Sequence, residues 1–184
     1  MDFQHAVLGI LDDPEALLER TSLAIELFRR HSGVVVVVRA AFLDEDFDAI
    51  PPRSNMASIM SGSGRAMHDD SDLTIVHESV APRPGDIVVR KTRFSAFSTT
   101  DLDTQLRQLN IDTLVLAGIS TSGGVLSTTL DAFDRDYLVY VLKDACGDPD
   151  NDVHDFLITK ILPEKSHVAS LDEFETLLME LPET

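Results

Sequence analysis

The sequence predicts an α/β protein built in three layers, helices on both faces of a mostly parallel sheet. Three observations predict it. Residues 34–38 are an unbroken run of valines, of strand length and apolar on both faces, as interior parallel strands covered by helices are. From Thr100 onward strand-like and helix-like stretches alternate, which is the signature of βαβ units. The 184 residues, 43% hydrophobic and 26% charged, suit a single domain over 1–184 whose core needs no disulfide or structural metal.

The elements follow in order. Asp13 is placed to cap a helix that Pro14 opens, and Leu17, Leu18, Ala24, Ile25 and Phe28 fall on its buried face before Gly33 stops it. Arg29, Arg30 and His31 set positive charge at its carbonyl end. The valine strand comes next. Between 41 and 85 turn residues dominate, and this stretch predicts loops over one end of the sheet, with a short strand at 74–76. Ser61-Gly62-Ser63-Gly64 lacks the lysine and the strand-to-helix junction of a phosphate loop and reads as a flexible turn. A strand at 87–89 is followed by a helix at 100–109, a strand at 113–117, a helix at 123–133 and a strand at 138–142. A helix at 151–161, a short strand near Val168 and a helix at 171–181 complete the order.

Charge narrows the partners. Lys plus Arg number 15 against 32 Asp plus Glu, and a formal net charge of -17 repels phosphate backbones and anionic membrane surfaces. No apolar run approaches the ~20 residues of a membrane span, and the first residues lack the basic start of a signal peptide. These features predict a soluble cytoplasmic protein with no nucleic-acid or membrane partner. The single cysteine, Cys146, reads as a small buried residue rather than a reactive thiolate.

In parallel sheets ligands bind beyond the carboxyl ends of the strands, so residues just after each strand are the candidates for chemistry. Three such segments stand out: Met1-Asp2-Phe3-Gln4, Arg90-Lys91-Thr92-Arg93, and the run from Gly118 to Val125 with Gly123-Gly124. Asp2 supplies an acid, Lys91 a cation, and the glycine-rich turn supplies backbone N–H groups at a helix start. A carboxyl desolvated beside a lysine can hold or pass a proton, and such N–H groups can hold a carboxylate or a developing negative charge.

With their flanks, these segments resemble the isochorismatase-like hydrolases, a family that includes nicotinamidases and N-carbamoyl-amide amidases. Asp2-Phe3-Gln4 is similar to the family's D-x-Q strand end, and Lys91 with Ser95-Ala96-Phe97 and Thr100-Asp101-Leu102 to its K-x-x-x-S-A-F…T-x-L block. Gly118-Ile119-Ser120-Thr121-Ser122-Gly123-Gly124-Val125, then Thr128, Asp131-Ala132 and Asp144-Ala145, resembles G-x-x-T-x-x-C-V-x-x-T…D-A…D-A. The resemblance implies a Rossmann-like isochorismatase fold, a homo-oligomer, and a cis peptide between Ile119 and Ser120 that turns backbone N–H groups into the site.

One departure changes the chemistry the resemblance implies. Gly124 stands where the family carries its cysteine nucleophile, so an amidase reaction through a thioester loses its covalent step. Some true isochorismatases share that glycine and cleave a vinyl ether without an enzyme nucleophile. By this analogy Asp2 is the general acid, and Lys91 orients it or binds a substrate carboxylate. The backbone at Ser120, Gly123 and Gly124 holds the anionic part of the ligand. Ser120, Thr121, Ser122 and Ser127 have no histidine nearby in sequence to activate them, and His154 reads as a structural hydrogen-bonding residue. No cofactor is expected. No metal is expected either, because Asp44, Asp46 and Asp48 have no adjacent histidine and read as a solvated face. The rival readings are a non-catalytic member that binds a small molecule or a partner protein, and an oligomer-forming structural or regulatory subunit. Only Met1 precedes Asp2, so the domain is expected to be short at its first strand.

Overall fold

The computed structural model describes residues 1–180. A short helix α1 (His5–Leu8) precedes α2 (Glu15–Arg30), whose first turn is preceded by Pro14 and by Asp13, whose Oδ1 accepts from Glu15 N–H at 3.3 Å. The valine run forms β1 (Val36–Ala40). Helices α3 (Asp44–Asp48) and α4 (Asn55–Ser63) lead through short 3₁₀ turns to β2 (Ile87–Lys91). Then come α5 (Leu102–Gln108), β3 (Thr113–Ile119), α6 (Leu126–Phe133), β4 (Leu138–Gly147), α7 (Asn151–Phe156), β5 (His167–Ala169) and α8 (Leu171–Glu180).

All strand pairings are parallel, in two ladders: β1 with β2, from Val36 opposite Ile87 to Ala40 opposite Lys91, and β3–β4–β5. Helices cover both faces. On one face Leu102 and Leu106 of α5, Ala132 of α6 and Leu157 beyond α7 pack on Val38, Val89, Leu116 and Val141. On the other, Ala24 and Leu27 of α2 meet Leu142, Ala145, Ala169 and Phe174. This is the three-layer α/β/α arrangement, with helices burying the apolar faces of the strands.

The first residues lie between the two ladders. The Met1 amino group donates to the Ala117 carbonyl at 2.7 Å, and the Ile119 N–H donates to the Met1 carbonyl at 3.3 Å. On the other side Asp2 N–H donates to the Val38 carbonyl at 2.8 Å. Met1 and Asp2 thus bond β3 on one edge and β1 on the other. Gly118 permits that approach, since a Cβ there would lie 2.6 Å from the Met1 carbonyl oxygen. Gln4, fully buried, fastens the next turn: its amide donates to Ala40 and Thr74 carbonyls, both at 2.8 Å, and its oxygen accepts from Ala40 N–H at 2.7 Å.

Several boundaries differ from those the sequence predicts. Ser61-Gly62-Ser63 closes α4 instead of forming a flexible turn, because Ser54 caps that helix through Ala57 N–H and carries it past Gly62. The expected strand at 74–76 is a 3₁₀ turn, Asp72–Thr74, followed by one isolated antiparallel bridge from Val76 to Gln4. The helix expected from Gly123 begins at Leu126, after a wide π turn at Thr121–Val125. β4 runs five residues beyond the expected Leu142, to Gly147. The helix expected over 151–161 is α7 followed by a π turn at Leu157–Ile161. The last expected helical residue, Leu181, lies outside the described residues.

Candidate active site

The carboxyl ends of the central strands bring Asp2, Lys91 and Gly124 together. Lys91 is the last residue of β2, 2% exposed, and its Nζ donates to Asp2 Oδ2 and to the Phe94 carbonyl, both at 2.6 Å. Asp2 is 4% exposed, and its other oxygen, Oδ1, has no hydrogen-bond partner among the described residues. Burial pushes the Asp2 carboxyl above the usual carboxylate range, against the pull of the Lys91 ammonium and of the chain's own amino terminus. Asp2 has a φ of 62°, the left-handed region that aspartate tolerates better than most side chains.

Gly124 completes the constellation. A Cβ on it would lie 2.8 Å from Asp2 Oδ2 and 3.4 Å from Lys91 Nζ, so its bare Cα faces the ion pair directly. The π turn sets this orientation. A wide turn of two glycines, poor helix formers, swings the chain from β3 across the pair before regular helix resumes at Leu126. The peptide between Ile119 and Ser120 is cis.

The remaining predicted residues are placed as follows. Ser120 opens the π turn, and its carbonyl accepts from Gly123 N–H at 3.1 Å and Val125 N–H at 3.2 Å. Gly123 N–H, assigned in the sequence to an anion, therefore closes the turn itself. A Cβ on Gly123 would meet Ser120 Oγ at 2.6 Å and the Phe94 ring at 3.1 Å, so this glycine serves close packing. Thr121, fully buried, shares a hydrogen bond with His154 Nδ1 at 2.8 Å, which ties α7 to the turn. Asp44 is exposed and reaches His68 Nε2 at 3.4 Å and Arg65 at 3.3 Å, an approach that sequence separation hides. Asp46 departs from the expected solvated face: it accepts from Arg90 Nη1 at 2.5 Å and from Leu43 N–H at 2.9 Å. Cys146 is 6% exposed, and burial pushes its thiol up to about 12.

Asp148 is a residue the sequence reading misses. Its Oδ2 accepts from Ser122 N–H at 2.7 Å and holds the π turn from below. The strand-end rule itself finds it once β4 is given its full length, because Asp148 immediately follows Gly147.

The family model for the Isochorismatase domain matches residues 1–173. The chain belongs to the isochorismatase family. This member is 31% identical over 183 residues to the uncharacterized isochorismatase family protein YwoC of Bacillus subtilis, a match covering 95% of this chain and 94% of that one. Its fold is similar to that of an isochorismatase family protein from Burkholderia thailandensis, with TM-score 0.83, 27% identity and coverage of 97% and 92% of the two chains. It is also similar to an N-carbamoylsarcosine amidase from Thermoplasma acidophilum, with TM-score 0.72, 30% identity and 94% coverage of both. The family is one of hydrolases, and amidohydrolases are among the relatives of this chain.

Proposed function

We propose that the protein hydrolyses a small anionic molecule by general acid catalysis at Asp2, with no covalent enzyme intermediate. One observation carries the reading. The Asp2 carboxyl is buried, held on one oxygen by Lys91, unpartnered on the other among the described residues, and turned toward a residue without a side chain. Burial favours the protonated acid, which is the form that donates. Gly124 carries no side chain that could act as a nucleophile beside the pair, so this reading needs no covalent intermediate.

A vinyl ether fits this chemistry. Asp2 gives its proton to the terminal enol carbon, leaving an oxocarbenium ion whose positive charge the Asp2 carboxylate offsets. Water adds to the cationic carbon, its proton returns to Asp2, and the hemiketal breaks to an alcohol and a carbonyl compound. Lys91 holds the carboxylate in one orientation through both transfers and draws an anionic substrate toward the pair.

The test is incubation of the purified protein with a mixture of small anionic metabolites, isochorismate included, followed by mass spectrometry. A substrate pair that gains one water, and whose conversion disappears in Asp2→Asn, is the expected result. A metabolite that raises the melting temperature and is never converted identifies a binding protein instead and overturns the catalytic reading.

A further inference from the structure

The Lys91 ammonium has three N–H bonds, and the described residues take two of them. One reaches Asp2 Oδ2 and one the Phe94 carbonyl, both at 2.6 Å. These two contacts fix how the ammonium is turned, and the second is a main-chain carbonyl in the loop after β2. Such a carbonyl is aimed only as well as its loop is held.

The loop is held from α6. Ser95, 6% exposed, follows Phe94 directly, so the Phe94 carbonyl and the Ser95 N–H belong to one planar peptide unit. Ser95 Oγ donates to Asp131 Oδ2 at 2.5 Å and accepts from Phe97 N–H at 3.1 Å. The next peptide is fastened too, since Ala96 N–H donates to Thr128 Oγ1 at 3.0 Å. Thr128 and Asp131 stand three residues apart on α6 and share one face of it. Asp131 is itself clamped: Arg135 donates to its Oδ1 at 2.7 Å and stands over the Phe97 ring at 5.1 Å.

We propose that Asp131 is a positioning residue for the Asp2–Lys91 pair, acting through Ser95 to aim the Phe94 carbonyl at Lys91 and so to turn the ammonium toward Asp2. The proposal deepens the reaction put forward above and rests on it for any effect on turnover, while the alignment of the pair can be read without a substrate. Thr128 alone would fix the peptide after Ser95 and leave the one before it, which carries the Phe94 carbonyl, free to rotate about Ser95. The bond to Asp131 removes that freedom. A carboxylate suits the task, because a charge-assisted bond is about twice as strong as a neutral one and locks a hydroxyl that otherwise rotates.

The fold contains a matched contrast. Asp103 on α5 accepts from the buried Tyr137 hydroxyl at 2.8 Å and lies 3.5 Å from Arg107, four residues on, which stands over the Tyr137 ring at 4.8 Å. It is the same acid, hydroxyl and arginine, but the hydroxyl sits on no loop that bonds Lys91.

The test follows the Asp2 carboxyl by ¹³C NMR in protein carrying labelled aspartate, its signal being the one that Asp2→Asn removes. Lys91 favours the charged carboxylate, so a misaimed ammonium moves the Asp2 titration midpoint up. Asp131→Ala and Ser95→Ala are each expected to raise it by about one unit, a part of the roughly 1–3 units that an adjacent cation is worth. Asp131→Asn keeps an acceptor for Ser95 and should restore most of the parent midpoint. The double variant Asp131→Ala, Ser95→Ala should move it no further than either change alone. Asp103→Ala is expected to lower the melting temperature and leave the midpoint where it was. A parent midpoint in folded Asp131→Ala overturns the proposal, as does an equal shift in Asp103→Ala; if Asp131→Ala does not fold, Ser95→Ala decides in the same way. Where the parent converts a substrate, kcat should fall about ten- to a hundredfold in Asp131→Ala and recover in Asp131→Asn. A protein that converts nothing while the midpoints shift as stated overturns the reaction and supports the positioning role.

Discussion

Gly124 shows how one absent side chain redirects a site. The turn after β3 brings a bare Cα against the buried Asp2–Lys91 pair, so in the proposed reaction these two side chains are the reactive groups. Asp2→Asn is expected to lower turnover by about 10² to 10⁴-fold, the usual worth of a general acid, in steady-state assays where Cys146→Ser stays near the parent. Adding a methyl group at Gly124 is expected to hurt in a different way. Its Cβ would sit 2.8 Å from a carboxylate that Lys91 fixes in place, so Gly124→Ala should cost about 1–3 kcal/mol in urea denaturation. A Gly124→Ala protein as stable as the parent would mean that the Asp2–Lys91 pair is free to move.

The segment from β3 to α6 shows what is legible in a sequence at the level of elements and what is not. Two glycines after an apolar strand announced a turn at a strand end, and the turn is there. Its width was not announced, because the bonds that shape it come from far along the chain: Asp148 holds Ser122 N–H at 2.7 Å, and His154 meets Thr121 at 2.8 Å. Local patterns carry periodicity and caps, which is why α2, β1, β2 and β3 fall within a few residues of their predicted places. They carry no record of distant partners such as Asp148, or of the pairing that extends β4 through Ala145 and Cys146 to Gly147. Of the candidate site, Lys91 was readable because it ends a strand and Gly124 because it lies in the glycine turn after one. No strand precedes Asp2 among the described residues, and only the likeness of Asp2-Phe3-Gln4 to a family strand end marked it. The Phe94 carbonyl on Lys91 was not readable, since any residue can supply a carbonyl. Asp148→Ala is expected to cost about 1.5–3 kcal/mol, the worth of a charge-assisted bond to a backbone N–H, and to loosen the turn, seen as faster amide exchange at Ser122.

At the scale of the whole molecule, the sheet is two ladders held together by Met1, Asp2 and Gln4. This places a titrating amine at the seam. The Met1 amino group falls from 8.0 to about 6 on burial, so between those values the unfolded chain binds a proton that the folded chain does not. Stability contributed by this group therefore rises with pH from about 6 to 8, by roughly 2–3 kcal/mol for a shift of that size. Asp2 acts with the opposite sign at lower pH: its raised folded pKa gives stability present near pH 3.8 and lost as pH climbs through the raised value. Denaturation midpoints at pH 6, 7 and 8 should show the rise, and a chain whose amino terminus is acetylated should lose it. The molecule also contains a single thiol, and it is neither in the site nor ionised near neutrality, with Cys146 pushed up to about 12. Oxidants attack cysteine through its thiolate, so peroxide finds little to react with at this position. Where thiol-dependent hydrolases are silenced by oxidative stress, the proposed site of Asp2, Lys91 and Gly124 would have no sulfur nucleophile to lose.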